Sequence, residues 1–157
     1  MTYSAKFLRE AIRLSHEKTT AGEGGPFGAV IVKAGEIIGR GWNRVTSAND
    51  PTAHAEMEAI REACSHLGTF SLKGCEIYAS CEPCPMCLSA IYWARLDALY
   101  FAASSTDAAE AGFDDALLYK EIVKPVIGRV LATEQHLQSE AKQALDAWKN
   151  NPDKTAY

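Results

Sequence analysis

The sequence has few of the features that place a protein in a membrane or on a nucleic acid. No apolar run approaches the roughly 20 residues that a transmembrane helix needs, and Met1 to Arg9 lacks the apolar stretch of a signal peptide. Lysine and arginine total 16 against 20 aspartates and glutamates, a net charge of -4. The basic stripe that neutralises phosphates is therefore missing. These absences predict a cytoplasmic protein that binds neither a membrane nor a large nucleic acid.

Cysteine is too scarce and too unevenly placed for a disulfide framework. The chain has five cysteines, an odd number, and three of them lie between Cys81 and Cys87. In a cytosolic protein such a cluster indicates a metal site or catalysis rather than disulfides. The other residues form an ordinary globular mixture, 47% hydrophobic and 23% charged, and 157 residues fit one domain.

Helix and strand patterns alternate along the chain. Helices are predicted over about 4–20, from about 54 to 67, from 85, near 114–122 and from about 137 to 148. Strands are predicted over 27–33, 37–43, 75–80, 97–102 and 126–132. Ala34-Gly35 joins the first two strands into a hairpin, and helices cross over between the later ones. This order predicts an α/β sandwich with a mixed sheet.

Two short segments carry side chains that bind zinc well. They are His54-Ala55-Glu56 and Cys84-Pro85-Met86-Cys87. The two cysteines are three residues apart at a predicted helix start, so both thiols face the same way. A helix N-terminus also favours the thiolate, the form that binds zinc. If the two helix starts face each other, His54, Cys84 and Cys87 bind one zinc ion per chain.

Three protein ligands leave the fourth tetrahedral position for water, as in catalytic rather than structural zinc sites. Zinc lowers the pKa of that water to about 7, which yields hydroxide at neutral pH. Glu56 is too close to His54 to be a natural fourth ligand, but it can reach the water. A carboxylate there can take the water's proton, pass it to a ring nitrogen and later protonate the leaving amine. His-x-Glu combined with Pro-Cys-x-x-Cys is the known signature of zinc deaminases.

Each segment alone has a simpler interpretation. His-x-Glu is common, and Cys-x-x-Cys is also typical of a redox pair or of half a structural zinc site. Cys81, Cys84 and Cys87 have the spacing of three iron–sulfur ligands, but the fourth cysteine and its proline are missing. That cluster also leaves His54 and Glu56 without a role, so Cys81 is predicted to pack near the site without binding metal. The remaining cysteines are predicted to be buried and the remaining histidines exposed: Cys64, Cys75, His16, His66 and His136.

The segments Pro51–Glu56 and Cys81–Cys87 resemble the cytidine-deaminase-like superfamily. A closer resemblance, spanning residues 24 to 157, is to the small bacterial guanine deaminases. It rests on Gly24–Ala29, Ala90–Ala94, Ala108–Asp115 and the terminal Tyr157. The zinc motifs specify only a deaminase. The segment Ala-Gly-Phe-Asp-Asp and the terminal tyrosine carry the guanine assignment.

The resemblance implies a three-layer α/β/α sandwich around a five-stranded mixed sheet, in a single domain over 1–157. It also implies a homodimer. In that dimer a core of about 1–123 is followed by a C-terminal arm, about 124–157, which crosses over and closes the partner's active site. Pro125 and the change of composition after it are compatible with such an arm. The alternative is a C-terminal helix that packs on its own core.

The chemistry of guanine fits polar and aromatic residues near these motifs. Hydrolysis at C2 removes the 2-amino group and leaves xanthine and ammonia. N1–H and N2–H are adjacent donors that a carboxylate accepts well, and by the resemblance this carboxylate is Asp115, with Asp114 as the alternative. Asn43 can satisfy the ring acceptors, while Phe27 and Trp93 can wall the flat ring. The two aromatic residues could equally be core, and Asp114 could cap a helix. Tyr157 can wall the pocket and hydrogen-bond the base.

The predicted activity is therefore zinc-dependent deamination of guanine, with related reactions as alternatives. Guanosine, cytosine and aminotriazines are substrates for the same chemistry. A tRNA adenosine deaminase would share the zinc ligands and Glu56, but the acidic balance argues against tRNA. A non-enzymatic zinc module is the alternative from another class. It predicts no open coordination position and no role for Glu56.

Overall fold

The structure of the protein is a computed structural model that describes residues 2–157. The chain divides into two compact units, residues 2–115 and Ala116–Tyr157. The elements of the first unit are α1 (Ala5–Thr20), β1 (Gly28–Lys33), β2 (Glu36–Trp42), α2 (Val45–Ala48), α3 (Ala55–Leu67), β3 (Cys75–Cys81), α4 (Pro85–Trp93), β4 (Ala98–Ala103) and α5 (Ser105–Glu110). Among residues 2–157, no helix has the length and apolar character needed to cross a membrane.

The strands of the first unit form one mixed sheet in the order β2-β1-β3-β4. β1 is antiparallel to both β2 and β3, whereas β3 and β4 are parallel and are joined through α4. The predicted hairpin turn is confirmed, because Ala34 and Gly35 both have positive φ, 51° and 82°. A tight turn between right-twisted strands requires that backbone. The predicted mixed sheet is therefore confirmed.

Helices cover both faces of this sheet. On one face, α1 buries Phe7 and Leu14 against Val30, Val32 and Tyr78. On the other face, alanines and an isoleucine of α3 and α4 pack against β1 and β3: Ala55, Ala59, Ala63 and Ile91 lie against Ile31 and Ile77. The predicted three-layer α/β/α sandwich is confirmed, and the apolar stripes of the helices account for it.

Gly41 in β2 lets α3 approach the sheet at the level of its backbone. A Cβ atom at Gly41 would lie 1.9 Å from the carbonyl oxygen of Ala55 and 2.4 Å from the backbone nitrogen of Ala59. No side chain fits such a gap, so glycine is the residue that allows this packing. The start of α3, where Ala55 lies, is thereby held directly against β2.

The second unit contains α6 (Ala116–Ile122), a single 3₁₀ turn at Val126–Gly128 and α7 (Gln138–Asn150). Many of its large apolar side chains are exposed, including Val123 at 82% and Ile127 at 94%. Three leucines, an isoleucine and a valine of the same unit, with Glu121 and Arg129, line a cavity of about 540 Å³. The unit therefore presents a substantial apolar surface.

The predicted fifth strand over 126–132 is wrong, and the sheet has four strands. The segment forms the 3₁₀ turn and then irregular structure as far as residue 137. A strand needs a neighbour to accept and donate its backbone hydrogen bonds. Within the described residues of the second unit the regular elements are all helical, so this apolar segment has no strand of its own unit to pair with.

Candidate active site

Two helix starts carry the candidate zinc ligands. His54 is the residue before α3 and Cys84 the residue before α4, and both have extended backbone. Asp50 shapes the loop before His54, since its carboxylate accepts both the N–H and the hydroxyl of Thr52 at 2.7 Å. Pro85 occupies the first position of α4, where its missing N–H costs no hydrogen bond. The polar N-termini of two helices therefore meet at one place.

The three predicted ligands converge. The Nδ1 atom of His54 lies 3.6 Å from Sγ of Cys84 and 3.5 Å from Sγ of Cys87, and all three ligand atoms lie within 4.8 Å of one another. Tetrahedral zinc, with Zn–S near 2.3 Å and Zn–N near 2.05 Å, places sulfur and nitrogen about 3.6 Å apart. The donor set and its spacing both fit a zinc ion with three protein ligands.

The protonation of the two thiols also suits a cation. Two hydrogen bonds lower the pKa of Cys84 to about 4, and the one from Cys87 has a larger effect than the one from His54. The same contact with Cys84, together with burial, raises the pKa of the Cys87 thiol. The hydrogen bond to Cys84 raises the pKa of His54. A zinc ion held by this trio would be bound by two thiolates and a neutral imidazole, so its binding would release the remaining thiol and imidazolium protons.

Glu56 lies in the first turn of α3 and is buried, with 8% of its surface exposed. Burial raises the pKa of its carboxyl group, and the negative charge of Cys84 raises it further. The carboxylate also accepts a hydrogen bond from the Cys87 thiol. Glu56 therefore contacts the ligand cluster without belonging to it. A carboxyl group with a raised pKa in this position is suited to accept and return a proton near neutral pH.

The side-chain amide of Asn43 is held in one orientation by two hydrogen bonds. It is buried, and its Oδ1 atom accepts the backbone N–H of Gly25 at 3.1 Å and of Val45 at 3.2 Å. Two N–H donors fix which end of the amide is oxygen, so the Nδ2 group points away from them as a donor. The fit is close, because a Cβ atom at Gly24 would lie 2.1 Å from the carbonyl oxygen of Asn43.

Phe27 and Asn43 are neighbours through their backbones, since the N–H of Asn43 donates to the carbonyl of Phe27 at 3.1 Å. The ring of Phe27 is half-buried and meets the ring of Phe113 edge-to-face, with centroids 4.9 Å apart. Phe113 was not among the residues predicted for the site, and its contact with Phe27 places it beside one that was. Its signal was present in the Ala-Gly-Phe-Asp-Asp segment, where an aromatic residue directly precedes the two aspartates.

Asp115 is half-buried, whereas Asp114 is exposed. Burial raises the pKa of Asp115, and the negative charges of Cys84 and then Asp114 add to the rise. Asp115 is therefore close enough to the zinc ligands to sense the charge of Cys84. Of the two aspartates, Asp115 is the more buried, and its carboxyl group is the one that the charge of Cys84 affects.

Trp93 lies at the opposite end of α4 from the zinc ligands. It follows Cys84 by nine residues and Cys87 by six, which corresponds to roughly 13.5 Å and 9 Å along the helix. The indole is 62% exposed and stacks near the guanidinium of Arg95. Tyr157 belongs to the second unit, where its ring lies 6.4 Å from that of Trp148.

The remaining cysteines and histidines are placed largely as predicted. Cys75 and Cys81 are buried, and Cys64 is half-buried. Cys81 lies outside the ligand group, with its Sγ atom 3.5 Å from the carbonyl oxygen of Ser104. Among the described residues the one group with metal-binding geometry is the predicted trio. The other histidines are exposed: His16, His66 and His136.

A family model for the cytidine and deoxycytidylate deaminase zinc-binding region matches residues 1–103. The chain belongs to this deaminase family. Its resemblance extends beyond the matched region, because guanine deaminase of Bacillus subtilis is 56% identical over 151 residues, 96% of this chain and 97% of that protein. The crystal structure of that enzyme superposes with a TM-score of 0.95 at 54% identity, over 99% of each chain.

Two more distant relatives show how far the likeness extends. A structure of guanine deaminase from Nitrosomonas europaea has a TM-score of 0.69 at 32% identity, over 74% of this chain and 67% of that one. The tRNA-specific adenosine deaminase of Aquifex aeolicus is 48% identical over 62% of this chain and 64% of that protein. The deaminase core is therefore shared with several activities, whereas the second unit of this chain is matched in the Bacillus enzyme.

Proposed function

We propose that the protein is a zinc-dependent hydrolase that converts guanine to xanthine and ammonia. The observation that carries this proposal is the match to a guanine deaminase over nearly the whole of both chains, including the segment around Asp115. The site supports the reaction class independently, because His54, Cys84 and Cys87 have the spacing of a catalytic zinc site and Glu56 lies beside them.

His54, Cys84 and Cys87 would hold the zinc ion, which would supply the Lewis acidity that makes a water molecule nucleophilic at neutral pH. Glu56 moves the protons. Its carboxylate takes a proton from the attacking water and delivers it to N3 of the ring as the C2–O bond forms. Glu56 then takes the proton of the new C2 hydroxyl group and passes it to the 2-amino group, so that the C2–N bond breaks, the C2 carbonyl forms and ammonia leaves. Burial of Glu56 keeps bulk water from competing for these protons.

Residues of the first unit recognise the ring in this proposal. The fixed Nδ2 group of Asn43 donates to an acceptor of the purine, and the carboxylate of Asp115 accepts from N1–H and N2–H. Asp114, which is exposed, is the alternative to Asp115. Phe27 packs against one face of the ring, and Phe113 supports Phe27 through their edge-to-face contact.

Two exposed aromatic residues are assigned to the walls of the active site. We propose a homodimer in which the C-terminal arm of one chain closes the active site of the other with Tyr157. The exposed apolar surface of the second unit supports this arrangement, because a surface of that kind is typical of an interface. Trp93, exposed at the end of α4, is the second aromatic residue that we propose as a wall for the ring, together with Phe27. We also propose a cytoplasmic location. The net charge of -4 favours a small neutral substrate over a nucleic acid.

A substrate panel tests the proposal. Zinc-loaded protein is assayed for ammonia release from guanine, guanosine, cytosine, an aminotriazine and an adenosine-containing tRNA anticodon arm, with the Glu56→Gln protein as the control for contaminating activity. We expect guanine to have the highest kcat/KM and the tRNA substrate to be inert. Faster turnover of guanosine or cytosine contradicts guanine as the substrate while leaving the reaction class intact. No release from any of them supports a non-enzymatic zinc module.

A further inference from the structure

Glu82 joins the zinc-binding segment to the start of α5. Its Oε2 atom accepts the backbone N–H of Ser105 at 3.0 Å, and its own N–H donates to the carbonyl of Ala103 at 2.8 Å. The preceding residue adds a third contact, since the thiol of Cys81 lies 3.5 Å from the carbonyl oxygen of Ser104. These contacts hold the strand end that leads into Cys84 against the N-terminus of a separate helix.

The helix that receives these contacts, α5, is too short to be stable without contacts to the rest of the protein. α5 has six residues, fewer than two turns, and packing rather than intrinsic propensity must stabilise a helix of that length. Its first turn is ordered by a capping box, in which Ser104 and Asp107 each accept a hydrogen bond from the other's backbone. The carboxylate of Glu82 accepts a further N–H of the same turn, so it is a charged side chain that ties this turn to the zinc-binding segment.

The other end of α5 leads directly into the substrate-facing residues. The N–H of Phe113 donates to the carbonyl of Ala108 at 2.9 Å, and Gly112 reverses the chain with φ of 93°. Phe113 then contacts the ring of Phe27, and Asp115 follows two residues later. A shift of α5 therefore moves both Phe113 and Asp115.

We propose that Glu82 is a positioning residue, whose hydrogen bond to Ser105 sets, through α5, where Phe113 and Asp115 stand relative to the zinc ligands. The inference rests on the proposed function, since Asp115 is the group assigned there to guanine. The physical basis of the proposal is that the substrate ring must be held near Phe113 and Asp115 while its C2 atom faces the zinc ligands and Glu56. Glu82 is a charged side chain that links these two sets of residues.

The test compares Glu82→Ala with Glu82→Gln. Loss of the hydrogen bond in Glu82→Ala should raise KM for guanine about 10-fold or more, with a smaller fall in kcat, because the zinc ligands and Glu56 are untouched. Glu82→Gln keeps an oxygen that accepts from Ser105, so most of the affinity should be retained. Glu110→Ala, at the exposed end of α5, is the matched control and should leave KM unchanged.

Three measurements accompany the kinetics. Zinc content should stay at the wild-type level, and the inhibition constant of hypoxanthine, which has the guanine ring without the 2-amino group, should rise in parallel with KM. Hydrogen exchange over residues 105–115 should become faster in Glu82→Ala and stay slow in Glu82→Gln. A normal KM and normal exchange in Glu82→Ala overturn the proposal. A Glu82→Gln protein as impaired as Glu82→Ala also overturns it, because charge rather than the hydrogen bond would then be responsible.

If Glu82→Ala loses zinc, a second variant tests whether the position of α5 affects guanine binding. Asp107→Ala removes the capping box from the α5 side, outside the segment Cys81–Cys87, and should raise KM and speed exchange with zinc retained. Unchanged KM and exchange in that variant then overturn the proposal. Failure of the proposed function is distinguishable, because it appears as poor guanine turnover by the wild-type protein. In that case the same variants are compared on the best substrate of the panel and by hydrogen exchange.

Discussion

The Nδ1 atom of His54 lies 3.5 Å from the Sγ atom of Cys87, although 33 residues separate them in the chain. His54 precedes α3, and Cys87 lies in the first turn of α4. Their spacing therefore depends on how two helix starts are packed against one sheet. A zinc site of this kind forms with the tertiary fold rather than within one local segment.

Removing either thiol should remove the metal. We expect about one zinc ion per chain in the wild-type protein, and Cys84→Ala or Cys87→Ala should lose zinc and activity together, because two ligands do not hold the ion tightly. Atomic absorption measures the zinc, and Cys64→Ala, outside the ligand cluster, is the control. Full zinc occupancy in Cys87→Ala would show that the ligand assignment is wrong.

Glu56 should be needed for turnover but not for zinc binding. Glu56→Gln retains the size of the side chain and loses the ability to move a proton. We expect normal zinc content and a fall in kcat at or beyond the top of the range of about 10²–10⁴-fold that is usual for such groups. Glu58→Gln is the control, since Glu58 pairs with Arg44 and Arg61. A near-normal kcat in Glu56→Gln contradicts the proton-transfer role.

Gly24→Ala should weaken guanine recognition through Asn43. The added Cβ would lie 2.1 Å from the Asn43 carbonyl oxygen and 2.8 Å from Oδ1, so the amide must move. We expect kcat/KM to fall by about 10-fold or more, as for loss of a buried hydrogen bond to substrate, with zinc retained. Gly128→Ala, where no atom lies within 4 Å of the new Cβ, should be neutral. Wild-type kcat/KM in Gly24→Ala would mean that this orientation of Asn43 is not used.

Asp115→Ala should impair guanine turnover more than Asp114→Ala. The carboxylate of Asp115 is half-buried near Cys84, and its removal leaves ring donors unpaired, a loss of roughly 1–3 kcal/mol in transition-state binding. Asp114 is exposed, so its removal should cost less. Steady-state kinetics of both variants on guanine decide between them. A larger defect in Asp114→Ala would transfer the role to that residue.

The C-terminal arm can be tested by complementation. Deleting the last few residues, including Tyr157, should leave zinc and fold intact and lower kcat/KM sharply, because a lid excludes water and strengthens ring contacts. A Glu56→Gln chain is then refolded with the tail-deleted chain. If arms exchange, mixed dimers contain one complete site and activity returns. If each arm closes its own site, the mixture stays as inactive as its components.

The zinc site could be predicted from the sequence because all of its candidate ligands lie in two short segments. His-x-Glu and Cys-x-x-Cys fix the ligand types, and helix geometry orients each pair, so only the meeting of two helices had to be supplied by the fold. The apolar face of α1 was predicted for a similar reason, since Phe7, Ala11 and Leu14 repeat at helical spacing and are all buried.

Other features depend on tertiary neighbours that local patterns do not reveal. The apolar segment at 126–132 has the composition of a strand, but its own unit offers no strand to pair with. The sequence predicts Trp93 to be a pocket or core residue, but it lies at the C-terminal end of α4, whereas the cysteines lie at the start of that helix. The short helix α5 was not predicted, because six residues carry too little periodicity and its first turn is hydrogen-bonded by Glu82, a residue distant in the chain.

Gly41 restricts how this sequence can vary. Its missing side chain lets Ala55, the residue between His54 and Glu56, press against β2. Every replacement adds at least one carbon where none fits, and the resulting shift would displace a ligand and a proton carrier together. Turn glycines such as Gly35 face open space and restrict only the backbone. We therefore expect position 41 to accept no residue other than glycine, and directed evolution of a new specificity should leave it unchanged.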